Sequence, residues 1–285
     1  MKFSNLEGPM AYGTERYINV NGMDIRYAVR GSGRPLLLLH GFCEFLETWD
    51  FNLGPLSEYY QVFAIDLPGH GLSDKPYLDY NITFFTDFTV SFMEALSIDR
   101  AGIIGHSFGG AIGISIATSS PERVERLILE SSFGLDNDIS LLHKLCSVPV
   151  LASPGSQGAK TALEERLNLE FYKPDFVAQE IVGRSYLFMQ MPEARRVMLN
   201  IMHNWVDANG LRPEVIMMDR LQSIESPTLV IHCAQDRIHP LRLSQNAWHL
   251  IPNAQLKILS YCGHCPHLEK ASEFNEAVIE FLEAN

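Results

Sequence analysis

The chain has 285 residues, a net charge of −12 and a pI near 5.3, with 46% hydrophobic and 20% charged residues. These proportions are ordinary for a globular protein with a substantial core, and an α/β chain of this length is commonly one domain. The acidic balance argues against nucleic acid or an anionic membrane surface as a partner, and the longest apolar run, at residues 35–39, is too short to span a bilayer.

The cysteines and the first residues of the chain indicate a compartment. Five cysteines, an odd number without paired spacing, suit a reducing environment. Residues 1–10 contain no apolar segment of signal-peptide length. Cys262 and Cys265 form a C-x-x-C pattern, but no second pair completes four metal ligands. We therefore expect a cytoplasmic protein without a metal.

The first 130 residues alternate between strand and helix patterns. Alternating segments at 16–20 and 23–29 flank Asn21-Gly22, a signal for a two-residue hairpin. Apolar residues three and four apart between Ile82 and Leu96 predict an amphipathic helix. Continuous apolar runs predict buried strands over 35–40, 61–66, 101–106 and 124–129. A hairpin followed by alternating buried strands and helices predicts a mostly parallel sheet covered by helices on both faces.

The strand rhythm stops after Ser132 and returns near the end of the chain. Residues 133–223 show helical patterns without a convincing buried strand, whereas 228–233 and 255–260 again read as strands before a last helix at 268–282. The sequence therefore predicts a core domain formed by residues 1–132 and 224–285, interrupted by a helical cap at 133–223.

The most informative motif is Gly105-His106-Ser107-Phe108-Gly109, a G-x-S-x-G pentapeptide between a predicted strand and a small-residue helix. This context suits a sharp turn that exposes the serine oxygen. Serine is a poor nucleophile alone, so it needs a histidine base, and the base needs an orienting acid. The motif therefore predicts Ser107 as the nucleophile of an acyl-transfer site.

Asp236 and His264 follow in the order Ser…Asp…His and are the predicted acid and base. Glu130, at the end of the sixth predicted strand, is the rival acid, and His239 and His267 are rival bases. His264 is preferred because it follows a glycine in the loop that leads to the last helix. For the oxyanion, Phe108 would offer its N–H at the start of a helix, where orphan donors and the positive dipole end coincide.

Together with the serine turn, four more stretches resemble the α/β-hydrolase superfamily, in its capped serine-hydrolase branch. They are His40-Gly41-Phe42, the segment from Asp66 to Gly71, Gln235-Asp236 followed by Pro240, and Gly263-His264. The resemblance implies an eight-stranded α/β-hydrolase fold with a helical cap inserted after strand 6, and it places the second oxyanion donor on the N–H of Phe42. His40, Asp66 and His70 are interpreted as structural.

The cap is rich in methionine, which adapts to irregular apolar shapes, so it is expected to line a substrate pocket. We name Met189, Met202 and Trp205 as candidates. Arg184 is added because the resemblance to carbon–carbon bond hydrolases places a carboxylate-binding arginine near this position. Two departures from that group are His106 where it commonly has asparagine, and Cys265 where it commonly has tryptophan.

These observations favour a carboxylesterase that cleaves a small or medium, largely apolar ester through an acyl-enzyme. Carbon–carbon hydrolysis of meta-cleavage-type dienoate diketones is the main alternative, and a perhydrolase or a ligand-binding receptor of the same fold stays open. We expect a small-molecule substrate, no cofactor, no nucleic acid and no membrane insertion, and we leave a homo-oligomer open. No dinucleotide or Walker pattern is present.

Overall fold

Ten strands and nine α-helices form the part of the chain that a computed structural model describes, residues 14–136, 157–207 and 210–284. The strands are β1 (Thr14–Val20), β2 (Met23–Arg30), β3 (Pro35–Leu39), β4 (Gln61–Ile65), β5 (Ala101–His106), β6 (Val124–Glu130), β7 (Val206–Asp207), β8 (Gly210–Leu211), β9 (Thr228–Cys233) and β10 (Ala254–Leu259). The helices are α1 (Asp50–Leu56), α2 (Ile82–Ala95), α3 (Phe108–Ser119), α4 (Gln157–Glu170), α5 (Phe176–Met189), α6 (Pro192–Trp205), α7 (Leu241–Leu250), α8 (Pro266–Glu269) and α9 (Ala271–Glu283). Short 3₁₀ turns lie at Leu46–Trp49, Pro121–Arg123, Pro213–Val215 and Met218–Ser223.

Eight of the strands form one sheet in the order β1-β2-β4-β3-β5-β6-β9-β10. The pairs β1–β2 and β2–β4 are antiparallel, and all the others are parallel. The β1–β2 hairpin turns at Asn21 and Gly22, whose φ angles of 53° and 82° are those that the Asn-Gly signal predicts. The predicted fold class is confirmed, and each of the eight strand segments read from the sequence is a strand of this sheet.

Alternate side chains of the central strands enter two separate cores. Leu37 and Leu39 of β3 join an apolar cluster with the phenylalanines of α2 and the isoleucines of α3. Leu36 and Leu38 point the other way, into a cluster with α1 and α9. The continuous apolar run of β3 therefore exists because helices cover both faces of the sheet. Within the described ranges, no helix combines the length and apolar character needed to cross a membrane.

The chain between β6 and β9 leaves the sheet. Its described residues form helices α4, α5 and α6 and a hairpin of β7 and β8, which pairs only with itself. The two-residue strands of this hairpin were not predicted, because an alternation of apolar and polar residues cannot be recognised over two positions. Residues 137–156 of the predicted cap lie outside the described residues, and the cap boundaries at 133 and 223 stay a prediction.

Helix α6 attaches this segment to the core. It buries Val197, Met198, Ile201 and Trp205 on one face. The Trp205 indole N–H donates to the carbonyl oxygen of Tyr80 over 2.9 Å, and the ring stacks on Phe108 with centroids 4.3 Å apart. Because Phe108 follows Ser107 directly, this packing places α6 over the serine turn.

Two helical glycines make a matched test of close packing around that turn. A Cβ on Gly109 in α3 would collide with the carbonyl oxygen of Leu39, whereas a Cβ on Gly183 in α5 would have no heavy atom within 4 Å. We expect Gly109→Ala to lower the free energy of unfolding by about 1–3 kcal/mol through overpacking. Gly183→Ala should raise it by about 0.5–1 kcal/mol, because alanine loses less backbone entropy in a helix. Urea unfolding measures both, and equal stability of the two variants would contradict the close β3–α3 contact.

Candidate active site

Ser107 occupies a strained turn between β5 and α3. Its φ of 49° and ψ of −108° lie outside the regions that side chains normally adopt, which costs on the order of 1–3 kcal/mol. Four backbone hydrogen bonds hold it: its N–H donates to Glu130 O over 2.8 Å, and its carbonyl accepts from Gly110 N at 3.0 Å, Ala111 N at 3.3 Å and Phe133 N at 2.9 Å. The turn brings the predicted nucleophile to the carboxyl edge of the sheet.

Asp236 and His264 are joined directly. His264 Nδ1 lies 2.9 Å from Asp236 Oδ2, while Asp236 Oδ1 accepts from the N–H groups of Ile238 at 2.8 Å and His239 at 3.0 Å. Burial would raise the pKa of Asp236, but the His264 imidazole and two further histidines hold it below its usual range. An ionised carboxylate only accepts hydrogen bonds, so the Nδ1 of His264 carries the proton and Nε2 is left as the acceptor.

The rival acid and one rival base are paired with each other. Glu130 Oε1 lies 2.7 Å from His267 Nδ1 and also accepts from the His267 N–H at 3.1 Å. Both side chains are fully buried, whereas His264 lines the same cleft as Ser107. The other rival, His239, also lines this cleft, but burial lowers its pKa to about 3. The structure therefore brings Asp236 and His264 together at the cleft, and their roles as acid and base stay a prediction.

The two predicted oxyanion donors belong to adjoining residues of the cleft. Phe42 and Phe108 both line it, with ring centroids 6.0 Å apart. Phe108 is the first residue of α3, so its N–H has no acceptor within the helix. Phe42 lies in a turn closed by the Glu44 N–H donating to Gly41 O at 3.2 Å and the Gly41 N–H donating to Glu44 Oε2 at 2.7 Å.

The residues read as structural have the expected contacts. His40 Nδ1 lies 2.8 Å from Gly41 O, and its Nε2 accepts the Leu67 N–H at 3.1 Å. Asp66 accepts the Leu46 N–H at 2.7 Å and forms an ion pair with Arg26 at 3.2 Å. These buried side chains fix the loops around the cleft and do not line it.

The cleft has a large apolar wall and a smaller polar one. The apolar wall is formed by Phe42, Phe108, Phe133, Met189, Ile201, Met202, Trp205, Val206 and Ile238. Three of the pocket residues named from the sequence, Met189, Met202 and Trp205, are therefore placed beside Ser107 and His264. The polar wall includes Glu44, Arg166 and Glu170, none of which sequence reasoning had found.

The structure corrects the placement of the fourth pocket candidate, Arg184, which is not among the residues that line the cleft. Its guanidinium donates to Glu47 Oε1 at 2.9 Å and lies over the ring of Phe45, 5.2 Å from its centroid. Glu47 also pairs with the buried Arg26 at 2.8 Å. An uncompensated buried carboxylate is costly, so Glu47 draws Arg184 towards the core. The position of Arg184 in the sequence does not indicate that Glu47 is its partner.

Arg166 of α4 is the cation that lines the cleft. It is 4% exposed, and its Nε donates to Glu170 Oε1 at 2.7 Å, while its Nη1 donates to Ser185 Oγ at 2.6 Å. Ser185 in turn donates to the carbonyl oxygen of Cys43. Among the described residues, the Nη2 of Arg166 has no hydrogen-bond acceptor, so it can still bind a polar group in the cleft.

Comparisons with known proteins identify the family to which this fold belongs. Residues 34–271 match the family described as alpha/beta hydrolase fold. Over 287 residues the chain is 30% identical to an uncharacterized protein of Mycobacterium tuberculosis, covering 95% of this chain and 81% of that one. It is 27% identical over 275 residues to a 2-hydroxy-6-oxo-6-(2'-aminophenyl)hexa-2,4-dienoic acid hydrolase of Metapseudomonas resinovorans, covering 94% and 90% of the two chains. A meta-cleavage product hydrolase of Pseudomonas fluorescens superposes with a TM-score of 0.82 at 28% identity, covering 95% of this chain and 98% of that chain.

Covalent labelling tests the predicted nucleophile. We expect a fluorophosphonate probe to label the wild type and not Ser107→Ala, because Ser107 is the serine that lines the cleft with His264. Mass spectrometry of the labelled peptide identifies the site. Labelling that persists at another serine of the variant would remove Ser107 from the site.

A pair of acid variants tests which carboxylate orients the base. Asp236→Asn should lower turnover by about 10⁴-fold, as loss of the equivalent carboxylate does in serine proteases, because Asp236 holds His264 Nδ1. The matched variant Glu130→Gln loses a carboxylate bound to His267 instead and should keep most of the Ser107 labelling rate. A larger loss of activity in Glu130→Gln than in Asp236→Asn would reassign the acid from Asp236 to Glu130.

Proposed function

The chain belongs to the α/β-hydrolase family, and from this premise we propose that it hydrolyses a carbon–carbon bond of 2-hydroxy-6-oxo-dienoate substrates through Ser107. One observation carries the proposal: a single cleft contains Ser107, the Asp236-bound His264 and the buried Arg166. The sequence alone favoured an ester substrate. The dienoic acid hydrolase and the meta-cleavage product hydrolase, each alike over more than nine-tenths of this chain, move the preference to the carbon–carbon bond.

The chemistry assigns one task to each residue. With His264 as base, the Ser107 oxygen attacks the 6-oxo carbon, and the N–H groups of Phe42 and Phe108 stabilise the oxyanion. Before this attack the 2-enol becomes a ketone, and its hydroxyl proton moves to C5. When the bond between C5 and C6 breaks, its electron pair delocalises through the C3–C4 double bond onto the C2 carbonyl oxygen, which makes carbon a usable leaving group. That oxygen takes the proton that His264 received from Ser107. Water activated by His264 releases the acyl group from Ser107 as a carboxylic acid.

The two walls of the cleft suit the two ends of such a substrate. The carboxylate and 2-hydroxyl group need donors. Arg166 offers its Nη2, which has no acceptor among the described residues, while Glu170 and Ser185 fix the guanidinium. In the substrate after which the Metapseudomonas resinovorans hydrolase is named, C6 carries an aromatic ring. This ring would face the methionines and Trp205 of the apolar wall.

Ester hydrolysis is the second candidate, and the Arg166–Glu170 ion pair is the observation that favours it. The carboxylate of Glu170, 2.7 Å from Arg166 Nε, compensates the only arginine charge among the described residues of the cleft lining. A neutral ester would require no further cation, and Ser107, His264 and the apolar wall would serve it equally well.

The two candidates differ in how they respond to loss of Arg166. If the substrate is a dienoate, Arg166→Gln should raise KM for it by about tenfold or more, since a hydrogen bond to a charged group contributes about 1.5–3 kcal/mol. Hydrolysis of a p-nitrophenyl ester should change much less. Steady-state kinetics of both substrate classes, with Ser107→Ala as the blank, measures this. Ester turnover with no dienoate turnover would overturn the proposed function in favour of the second candidate.

Two further variants separate charge recognition from damage to the fold. Arg166→Gln leaves Glu170 buried without its partner, so the double variant Arg166→Gln/Glu170→Gln removes both charges and should show the same loss for the dienoate. Arg184→Gln removes a partly buried arginine that does not line the cleft. It should lower stability and leave the dienoate KM within a few-fold of the wild type.

A further inference from the structure

His106, the residue before Ser107, makes two contacts that the reaction scheme above does not use. Its Nδ1 lies 3.1 Å from Glu44 Oε2, and its Nε2 lies 3.1 Å from the backbone carbonyl oxygen of His264. Its side chain is fully buried, so water does not supply other partners. His106 thus bridges the turn that carries Phe42 to the loop that carries the predicted base.

The acceptors on both sides determine where the protons are. A carbonyl oxygen cannot donate, so the Nε2 of His106 carries a proton. On the other side, Glu44 Oε2 already accepts the Gly41 N–H at 2.7 Å, as an ionised carboxylate does. An ionised Glu44 also cannot donate, so the Nδ1 of His106 carries a second proton.

From this geometry we propose that His106 is a positioning residue that acts as a buried imidazolium, locking the backbone of His264 to the Glu44 turn that presents Phe42. The proposal rests on the proposed function, because it takes Ser107, His264 and Phe42 as the reacting and stabilising groups. It assigns to His106 no contact with the substrate.

The charges around His106 agree with a protonated ring. Burial lowers its pKa, but the carboxylates of Glu44 and Glu130 raise it more, to about 9. Burial likewise would raise the pKa of Glu44, whereas His106 and two more histidines bring it below the usual range. The titratable groups near His106 lie on five elements: Glu44 and His40 at the turn after β3, Glu130 at the end of β6, His239 after β9, His264 and Cys265 in the loop after β10, and His267 in α8.

The same contacts argue against a metal at this place. The sulfur or oxygen atoms of Glu44, Cys265 and Glu130 lie close enough to the His106 ring to suggest a metal-ligand cluster. A histidine binds a metal through an unprotonated nitrogen aimed at the ion. Both nitrogens of His106 are instead directed at oxygen acceptors.

The protonation state can be measured without any substrate. In protein labelled with ¹⁵N-histidine, both ring nitrogens of His106 should show imidazolium shifts at pH 7.5 and titrate near pH 9, assigned by their loss in His106→Asn. A neutral shift pattern at pH 7.5 would overturn the proposal. This outcome does not depend on which acyl compound the enzyme hydrolyses, so it is distinct from a failure of the proposed function.

Kinetics tests the positioning role. His106→Asn should lower the rate of Ser107 labelling and kcat by about tenfold or more, because small misplacements of reacting groups are costly, while KM stays nearly unchanged. The wild-type kcat should also fall as pH rises through about 9, and this alkaline limb should be absent from His106→Asn. A wild-type profile that is flat to pH 10, or a limb that persists in the variant, would contradict the role.

The matched control is His267→Asn, which breaks the neighbouring Glu130–His267 pair and leaves the contacts of His106 with Glu44 and with the carbonyl oxygen of His264 in place. It should lose stability without losing the alkaline limb. The double variant Glu44→Gln/His106→Asn removes both charges and should refold if His106→Asn alone does not. Because the pKa of His106 is raised in the folded state, its contribution to stability is complete below about pH 6.5 and lost as pH rises through about 9. The Tm of the wild type should fall over this interval more than that of the double variant.

Discussion

The left-handed backbone of Ser107 depends on how closely α3 packs against the centre of the sheet. Gly105 and Gly109 leave no room for side chains, because a Cβ on either would collide with backbone of α3 or β3. Because α3 packs this closely, its first turn lies beside the end of β5. The chain must therefore change direction within the single residue between them, Ser107. The strain at Ser107 is held by backbone hydrogen bonds from β6 and the following loop. The position of the Ser107 side chain at the cleft and the N–H of Phe108, which has no acceptor within α3, are two consequences of the same packing.

Among the described residues around this turn, three buried imidazole–carboxylate pairs are within hydrogen-bond distance: Asp236–His264, Glu44–His106 and Glu130–His267. The first reaches the cleft through His264 and the second through Glu44, whereas the Glu130–His267 pair does not line it. Each pair compensates charges that burial alone would not tolerate. They share the loop after β10, so the orientation of His264 is the product of a connected network and does not depend on Asp236 alone.

The described segment between β6 and β9 contributes residues to the cleft and also forms hydrogen bonds with the loop that carries His264 and with α8. The carbonyl oxygen of Glu170, the last residue of α4, accepts the backbone N–H of His264 at 2.5 Å, and Glu269 Oε2 accepts the N–H of Tyr172 at 2.7 Å. The backbone of His264 is thus hydrogen-bonded on both sides: its N–H donates to α4, and its carbonyl oxygen accepts from His106. Arg166 lies one helical turn from Glu170 in the same helix. A polar group bound by Arg166 would therefore contact α4, the helix that also accepts the N–H of His264.

Local patterns in the sequence determined the strands, the serine turn and the order of Ser107, Asp236 and His264. Buried parallel strands are continuous apolar runs, and the glycines that a strained turn needs are adjacent in the chain. The polar wall of the cleft was decided only by tertiary structure. Arg166 meets Cys43 through Ser185, and Arg184 meets Glu47, across separations of more than a hundred residues that no local pattern records. Which of two arginines faces the cleft depends on which buried carboxylate each one reaches, and that is settled only when the chain has folded.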